Sequence, residues 1–409
     1  MSIYRSILGI TVISVLLLSG CVSQTIKTTS IPRVETPSAP LEEEELLDVS
    51  IAVFNPGLDV ETSTPVFPEV REAESRFMPQ LLMSALQESG AWGAVRVVPS
   101  EDQLTDLMIT GKILQSDGKE LILQISALDA TGRAWISGRI YQEEASRYAY
   151  TKTTRYTHDA FQAIYNRIAN DLLSSYQKLT SRERTRVRQV AEMRFAERFA
   201  SAAYSDYVVY DGERYTLQKL PAEGDPMLER VRNIRARDHL YVDTLQGYFQ
   251  QFNSDMLGPY QEWRKLSYEE ALALEQVQTE AKKDLLLGGA AVLAGIYASA
   301  KGSDAVARTA GNVAIMGGGY MVKSGLDKRN EAAIHVEALQ ELGVSLEAEI
   351  TPQIIRLDDQ TITLSGNVED QYAQWRALLD ELYQTEVGSL PELDTDANGD
   401  PSGNDLQAN

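Results

Sequence analysis

The chain reads as an α+β protein. It carries an α/β sandwich with an antiparallel meander, a long helical middle region with a Gly/Ala-rich helical hairpin, and a small C-terminal α+β unit. Three observations predict this class. Short β-branched runs separated by hairpin-type turns fill residues 95–141, after a first strand and a helix-period segment. Apolar residues then recur at helical spacing from about 158 to 287. A strand pair and one more amphipathic helix follow at 350–383.

Each element has a local cause. Val49-Ser50-Ile51-Ala52-Val53-Phe54 is β-branched and aromatic and stops at Asn55-Pro56-Gly57, a strand entering a turn. From Arg76 to Glu88, Phe77, Leu81, Leu82, Ala85 and Leu86 keep helical spacing, closed by Ser89-Gly90. Residues 95–98 form a second strand ended by Pro99. Runs at 107–114, 121–128 and 135–141 are separated by Ser116-Asp117-Gly118 and by Asp129-Ala130-Thr131-Gly132, both good hairpin turns. Helix follows over 158–199, with Val187, Val190, Ala191, Phe195 and Phe199 as one apolar stripe. A short hairpin fits around Asp211-Gly212. Two long helices are expected at 227–257 and 268–287, parted by a turn at Gly258-Pro259, the second opened by a capping box of Ser267 and Glu270. A helix over 327–342, strands at 350–357 and 361–366 around Asp358-Asp359, and a helix over 369–383 with Tyr372, Trp375, Leu378, Leu379 and Leu382 on one face complete the pattern.

The N-terminus predicts an address. Arg5, the apolar run 7–18 and the small residues Ser19 and Gly20 make a secretory leader too short to span a bilayer comfortably. Leu18-Ser19-Gly20-Cys21 resembles the bacterial lipobox. That resemblance implies cleavage before Cys21, a diacylglyceryl group on its thiol and an acyl chain such as palmitate on the new amine. Each buried methylene then contributes about 0.8 kcal/mol to membrane attachment. Val22, in place of Asp, implies passage to the outer membrane, so the expected location is a lipid anchor in that leaflet, facing the periplasm. Cys21 is the only cysteine, and its lipidation would leave no thiol for disulfides or thiolate chemistry.

With these signals the chain divides into a signal peptide at 1–20, a disordered tether at 21–47, an α/β domain at 48–146 and a mainly helical domain at 147–284. A glycine-zipper-like helical hairpin follows at 285–326, a small α+β unit at 327–386 and an acidic disordered tail at 387–409. The segments "SIAVFNPG", "LLMSALQESGAWGAVRVVPSE", "DLMITGKIL" and "ELILQISALDATGRAWISGRIY" resemble, in that order, the periplasmic domain shared by the TolB amino-terminal region, the curli-secretion lipoprotein and the penicillin-binding-protein activator lipoproteins. The resemblance covers about a quarter of the chain. It implies a binding or assembly module and brings no active-site residues.

A formal charge of −21 excludes general affinity for nucleic acid. Residues 147–237 run against that average, with seventeen Lys and Arg to eleven Asp and Glu. Within them Arg182, Arg184, Arg186, Arg188, Arg194 and Arg198 are the candidate anion- or partner-binding surface, because guanidinium forks suit phosphate and carboxylate groups. The alternative is a solvated helix face paired with the chain's own acids. In the hairpin, small residues recur at four-residue spacing, among them Ala290, Ala294, Gly295, Ala298, Gly311, Ala314 and Gly318, which lets helix backbones approach closely. Two readings fit it: a packed, self-associating hairpin, or insertion in a membrane. Arg308 and Asn312 weigh toward the first.

No metal site or cofactor is expected. His158, His239 and His335 have no ligand spacing, no nucleophile elbow is present, and Gly317-Gly318-Gly319 lacks the phosphate-loop pattern. Asp394, Asp396, Asn398, Gly399, Asp400 and Asp405 follow calcium-loop spacing, but Pro401 and the final Asp depart from it, and a solvated acidic tail is the better reading. The expected function is that of a non-enzymatic outer-membrane lipoprotein, an envelope assembly, scaffold or partner-binding factor with an envelope protein partner and self-association into homo-oligomers. The alternative is an oligomeric secretion or transport component whose hairpin enters a membrane. An enzyme acting on peptidoglycan or lipid is less favoured.

Overall fold

The computed structural model describes residues 31–60, 66–146, 148–151, 158–299, 353–357, 360–365 and 367–387. Its centre is a five-stranded sheet in the order β2-β1-β3-β4-β5, formed by β1 (Val49–Ala52), β2 (Val95–Val98), β3 (Leu107–Ser116), β4 (Glu120–Asp129) and β5 (Ala134–Glu144). β1 runs parallel to β2 and β3, and β3, β4 and β5 form the antiparallel meander. The class is α+β, as the sequence predicts. Along β4, Leu121, Leu123, Ile125 and Ala127 are buried while Leu128 is exposed, a period of two that sets one face toward the core. That core is closed by α1 (Pro68–Ser89) and α2 (Gln162–Gln177).

The two hairpin turns hold as expected, and the reason is visible. Asp117 Oδ1 accepts from Lys119 N and Glu120 N at 2.7 Å, and Asp129 Oδ1 accepts from Thr131 N at 2.9 Å. α1 begins eight residues before the expected Arg76, with Pro68 in its first turn, and ends at Gly90 in the left-handed region (φ 62°). Its early turns look polar in sequence, yet Val70 and Ala73 are buried against the later part of the chain.

α3 (Ser181–Phe199) starts at a capping box in which Thr180 and Glu183 hydrogen-bond each other reciprocally. A short helix α4 (Ser201–Tyr204) and the hairpin β6 (Val208–Tyr210) and β7 (Tyr215–Leu217) follow. The next element corrects the sequence reading. α5 (Pro226–Ser299) is one continuous helix through Gly258-Pro259, where a turn is expected. Proline and glycine weaken a helix interior, but Phe252, Met256, Tyr260 and Trp263 lie on one face and are buried against Val70, Ala73 and Phe77 of α1 on both sides of the weak point. Ser267 is consequently inside the helix rather than at its cap, and its hydroxyl accepts from Gly118 N at 3.1 Å. β8 (Gln353–Leu357) pairs with β9 (Gln360–Leu364), and α6 (Val368–Val387) lays Trp375 on Tyr241 of α5, ring centroids 4.8 Å apart.

Residues 32–47 correct the tether expectation. Asn166 Nδ2 of α2 donates to Pro32 O, Asn170 Oδ1 accepts from Glu35 N, and Tyr176 hydroxyl donates to Glu45 O at 2.9 Å. Leu47 is fully buried, and Val34 and Leu41 pack on the core. The run of acids at Glu42 to Glu45 masks this in the sequence: Glu42, Glu43 and Glu44 are exposed, while Glu45 pairs with Arg184 and the Glu43 carbonyl accepts from Arg188. The expected boundary at 146 is likewise crossed by the core: one apolar cluster extends from Leu47 to Tyr383. Of the expected hairpin, residues 285–299 continue α5, carrying Ala290, Ala294, Gly295 and Ala298. Gly311, Ala314 and Gly318, the helix over 327–342, the tail from 388 and Cys21 lie outside the described residues.

α5 is joined to the sheet through buried charge. Arg264 has no exposed surface, its Nη1 lies 2.6 Å from Asp159 Oδ2, and its guanidinium stacks on the Phe161 and Tyr260 rings at 4.8 and 4.2 Å. Tyr260 hydroxyl and Ser116 Oγ both donate to Glu74 Oε1, at 2.6 and 2.5 Å. Gly118 is required beside this joint, because a Cβ there would sit 1.9 Å from Arg264 O. Arg264→Met leaves Asp159 buried and unpaired, so it is expected to lower the unfolding free energy by about 3–5 kcal/mol, read from chemical denaturation. Adding Asp159→Leu should recover part of the loss, and a single variant as stable as wild type would contradict the assignment.

Candidate functional site

The six arginines of α3 do not form one free surface. Arg184 pairs with Glu45 and lies 4.3 Å over the Tyr176 ring. Arg186 Nη1 donates to Leu217 O at 3.2 Å, and Arg194 Nη1 donates to Ala130 O at 2.8 Å while stacking on Tyr215. These three bind the docked segment, the β6–β7 hairpin and the β4–β5 turn to the helix. Arg182 and Arg198 face solvent. Arg188 reaches in two directions, donating from Nη1 to Glu43 O at 2.7 Å and approaching Asp106 with Nε at 3.9 Å.

Arg188 thereby enters a cleft of about 280 Å³ between the head of β1, the loop before β3, α3 and α5. Asp48 and Asp106 line one side, Glu192 comes from α3, and Arg232, Arg235 and His239 come from α5. Backbone geometry fixes the acidic pair. Asp106 Oδ2 accepts from Asp48 N at 3.0 Å, and Asp48 Oδ1 accepts from Ala94 N at 2.8 Å, so the two carboxylates are set by the backbone leading into β1 and β2. Helix spacing fixes the rest: Arg232, Arg235 and His239 lie three and four residues apart on one face of α5.

The charges are unevenly matched. Arg232 is held by Glu192 and Glu229, each at 2.7 Å. Asp106, by contrast, is buried, with Arg235 Nη2 3.6 Å from Oδ1 and Arg188 Nε 3.9 Å from Oδ2. Both separations exceed a hydrogen bond. Burial pushes the Asp106 carboxyl above its ordinary range, against the pull of Arg235 and the Asp48 amide. Burial, then the Arg235 and Arg96 charges, push the His239 imidazole down to about 4, so it is neutral at pH 7.

The cleft can recognise a polar group by charge-assisted hydrogen bonds. Among the described residues no cluster of His, Cys, Asp or Glu could hold a metal ion. Of its residues, the sequence reading singles out Arg188 as a site candidate and reads His239 as a surface or helix-packing residue. Asp48, Asp106, Glu192, Arg232 and Arg235 carry no local motif, since they come from four separate stretches of chain.

No family model matches the sequence, and no curated protein matches it. Among solved structures, a Xanthomonas campestris protein described by the family DUF330 is similar at a TM-score of 0.24 and 12% identity, over 36% of this chain and 95% of that one. A likeness of that size carries no conclusion about this chain.

His239 is expected to titrate near pH 4 in an NMR titration of its ring protons. Its folded pKa lies below the unfolded value of about 6.5, so its contribution to stability is present above pH 6.5 and lost as pH falls toward 4, where the unfolded chain takes the proton first. Asp106 acts in the opposite sense, its raised pKa removing stability as pH rises above the ordinary carboxylate range. His239→Gln should therefore flatten the stability profile between pH 6.5 and 4 relative to wild type. Identical slopes would contradict the half-buried neutral imidazole.

Proposed function

We propose that this chain is a non-enzymatic, lipid-anchored protein of the outer membrane, facing the periplasm, that organises an envelope complex by binding a protein partner. The observation that carries this reading is the lipobox-like Leu18-Ser19-Gly20-Cys21 ahead of a folded body. Two features support it. The body offers a preformed charged cleft and a sheet with Leu128 and Ile140 exposed, both suited to binding. Segment 32–47 is docked on the body, so only residues 22–31 separate Cys21 from docked chain in the sequence, which would limit the reach of an anchored body. The α/β domain and the small-residue segment 285–326 are the proposed contact elements, the second for self-association.

No helix among the described residues is long and apolar enough to cross a membrane.

Growth with labelled palmitate should mark the wild-type chain and leave Cys21→Ser unlabelled and released from the membrane fraction. Equal labelling, or unchanged fractionation, would contradict the anchor. In-cell crosslinking of the full chain should then capture a defined protein set and a self-crosslink, and deletion of residues 285–322 should remove the self-crosslink. A chain that remains monomeric at micromolar concentration after detergent extraction would count against the assembly role.

A further inference from the structure

The sheet has two ends, and both the docked segment and α5 lead away from the same one. Asp106, just before β3, stands 3.6 Å from Arg235 of α5, and Gly118, just after β3, donates its amide to Ser267 Oγ of α5 at 3.1 Å. α5 therefore runs in the direction of β3, from the end that carries the charged cleft to the end that carries the β3–β4 turn. α2 runs the other way. The Phe161 ring at its start lies 4.8 Å from the Arg264 guanidinium, and Tyr176 near its finish donates to Glu45 O, two residues ahead of Leu47. The docked segment follows α2 in the same sense: Pro32 O accepts from Asn166 at 2.7 Å, Arg33 O accepts from Asn170 at 2.9 Å, and Glu43 O accepts from Arg188 at the cleft. Pro32, nearest in sequence to Cys21, thus sits at the β3–β4 turn end.

α5 goes on from that end. It continues past Ser267 to Ser299, and its composition changes on the way. Charged residues are frequent through Lys282-Lys283-Asp284 and absent from 285–299, which Leu285-Leu286-Leu287 opens. Between Ser267 and Leu285 a helix rises about 27 Å. Residues 22–31, between Cys21 and the docked segment, extend to at most about 35 Å. The two reaches match. A leaflet that held Cys21 would lie within reach of residues 285–299. As helix these residues are about 22 Å long, short of the roughly 30 Å hydrocarbon core and longer than half of it.

We propose that residues 285–299 of α5 enter the lipid leaflet that holds the anchor without crossing the bilayer, so that the body stands on the membrane by its β3–β4 turn end with the charged cleft turned away from it. The inference rests on the lipid-anchor reading above. A helix suits lipid because its backbone groups are bonded internally, and moving an apolar run from water to hydrocarbon is favourable. Lys282 and Lys283, directly before the run, fall where lipid phosphates attract cations. Ala290, Ala294 and Ala298 are small enough to let helices of two copies approach in lipid, so leaflet contact and self-association are compatible. Two attachments define an orientation that one leaves free.

Photolabelling of the full chain tests this. The protein is extracted from cells and reconstituted in vesicles of three parts phosphatidylethanolamine to one part phosphatidylglycerol, with a trace of phosphatidylcholine carrying a diazirine in its acyl tail. Peptides covering 285–299 should be marked at least about tenfold more than peptides lining the cleft, and Leu293→Asp should remove most of that mark, because charge is disfavoured in hydrocarbon. The wild-type pattern carries the test alone if the variant does not fold. Acylation of Cys21, read separately with labelled palmitate, should be the same in both chains. Marking of 285–299 without acylation supports the leaflet contact and removes the anchor. Acylation with 285–299 unmarked overturns the proposal and leaves the anchor standing. Crosslinks that join this segment between two chains, without a lipid mark, assign it to a second copy and also overturn the proposal. Equal marking of the cleft peptides overturns the orientation.

Discussion

The buried contact between α5 and the sheet is the constraint on which the other features depend. Arg264, Asp159, Tyr260, Glu74 and Ser116 come from four separate stretches of chain and meet with almost no exposed surface. Charges removed from water to this extent add little net stability, because desolvation offsets their attraction. Their larger effect is to define position. A one-residue slide of α5 would separate Arg264 from Asp159, Tyr260 from Glu74 and Ser267 from Gly118, removing a partner from each buried group. The apolar seam of Phe252, Met256, Tyr260 and Trp263 supplies the attraction, and the polar joint selects the register.

Once α5 is placed, its earlier turns are placed with it. Gln246 then exchanges two hydrogen bonds with the backbone of Val97, at 3.0 and 2.8 Å, covering the open edge of β2. Asp243 grips Arg96, and Arg232, Arg235 and His239 come to stand over the head of β1. The docked segment 32–47 closes the arrangement from the other side, since Glu43 holds Arg188 and Leu47 leads directly into Asp48. The cleft is thus a product of tertiary placement. Its buried atoms without hydrogen bonds, Asp106 Oδ1 and Arg235 Nε, are tolerated by a framework fixed elsewhere.

This dependence explains what was legible in the sequence. The meander could be read because its turns are made by residues that bond to their own neighbours, as Asp117 and Asp129 do. The apolar face of α6 could be read because Tyr372, Trp375 and Leu379 keep helical spacing. The start of α1 could not, since Arg71 and Glu74 look like surface residues until Ile113, Ser116 and Tyr260 are brought to them. Gly258-Pro259 looks like a turn until the packing on both sides is known. The arginines of α3 were visible, but several of their partners are backbone carbonyls, at Glu43, Ala130 and Leu217, which leave no trace in composition.

α5, the sheet and the docked N-terminal segment form one cooperative body held by the Arg264 joint. Hydrogen exchange at increasing denaturant, followed peptide by peptide, tests it most directly. Peptides covering residues 32–47, β3 to β5 and residues 226–268 are expected to lose protection together, at one free energy of opening. Release of residues 226–268 at lower denaturant, with the sheet still protected, would contradict it.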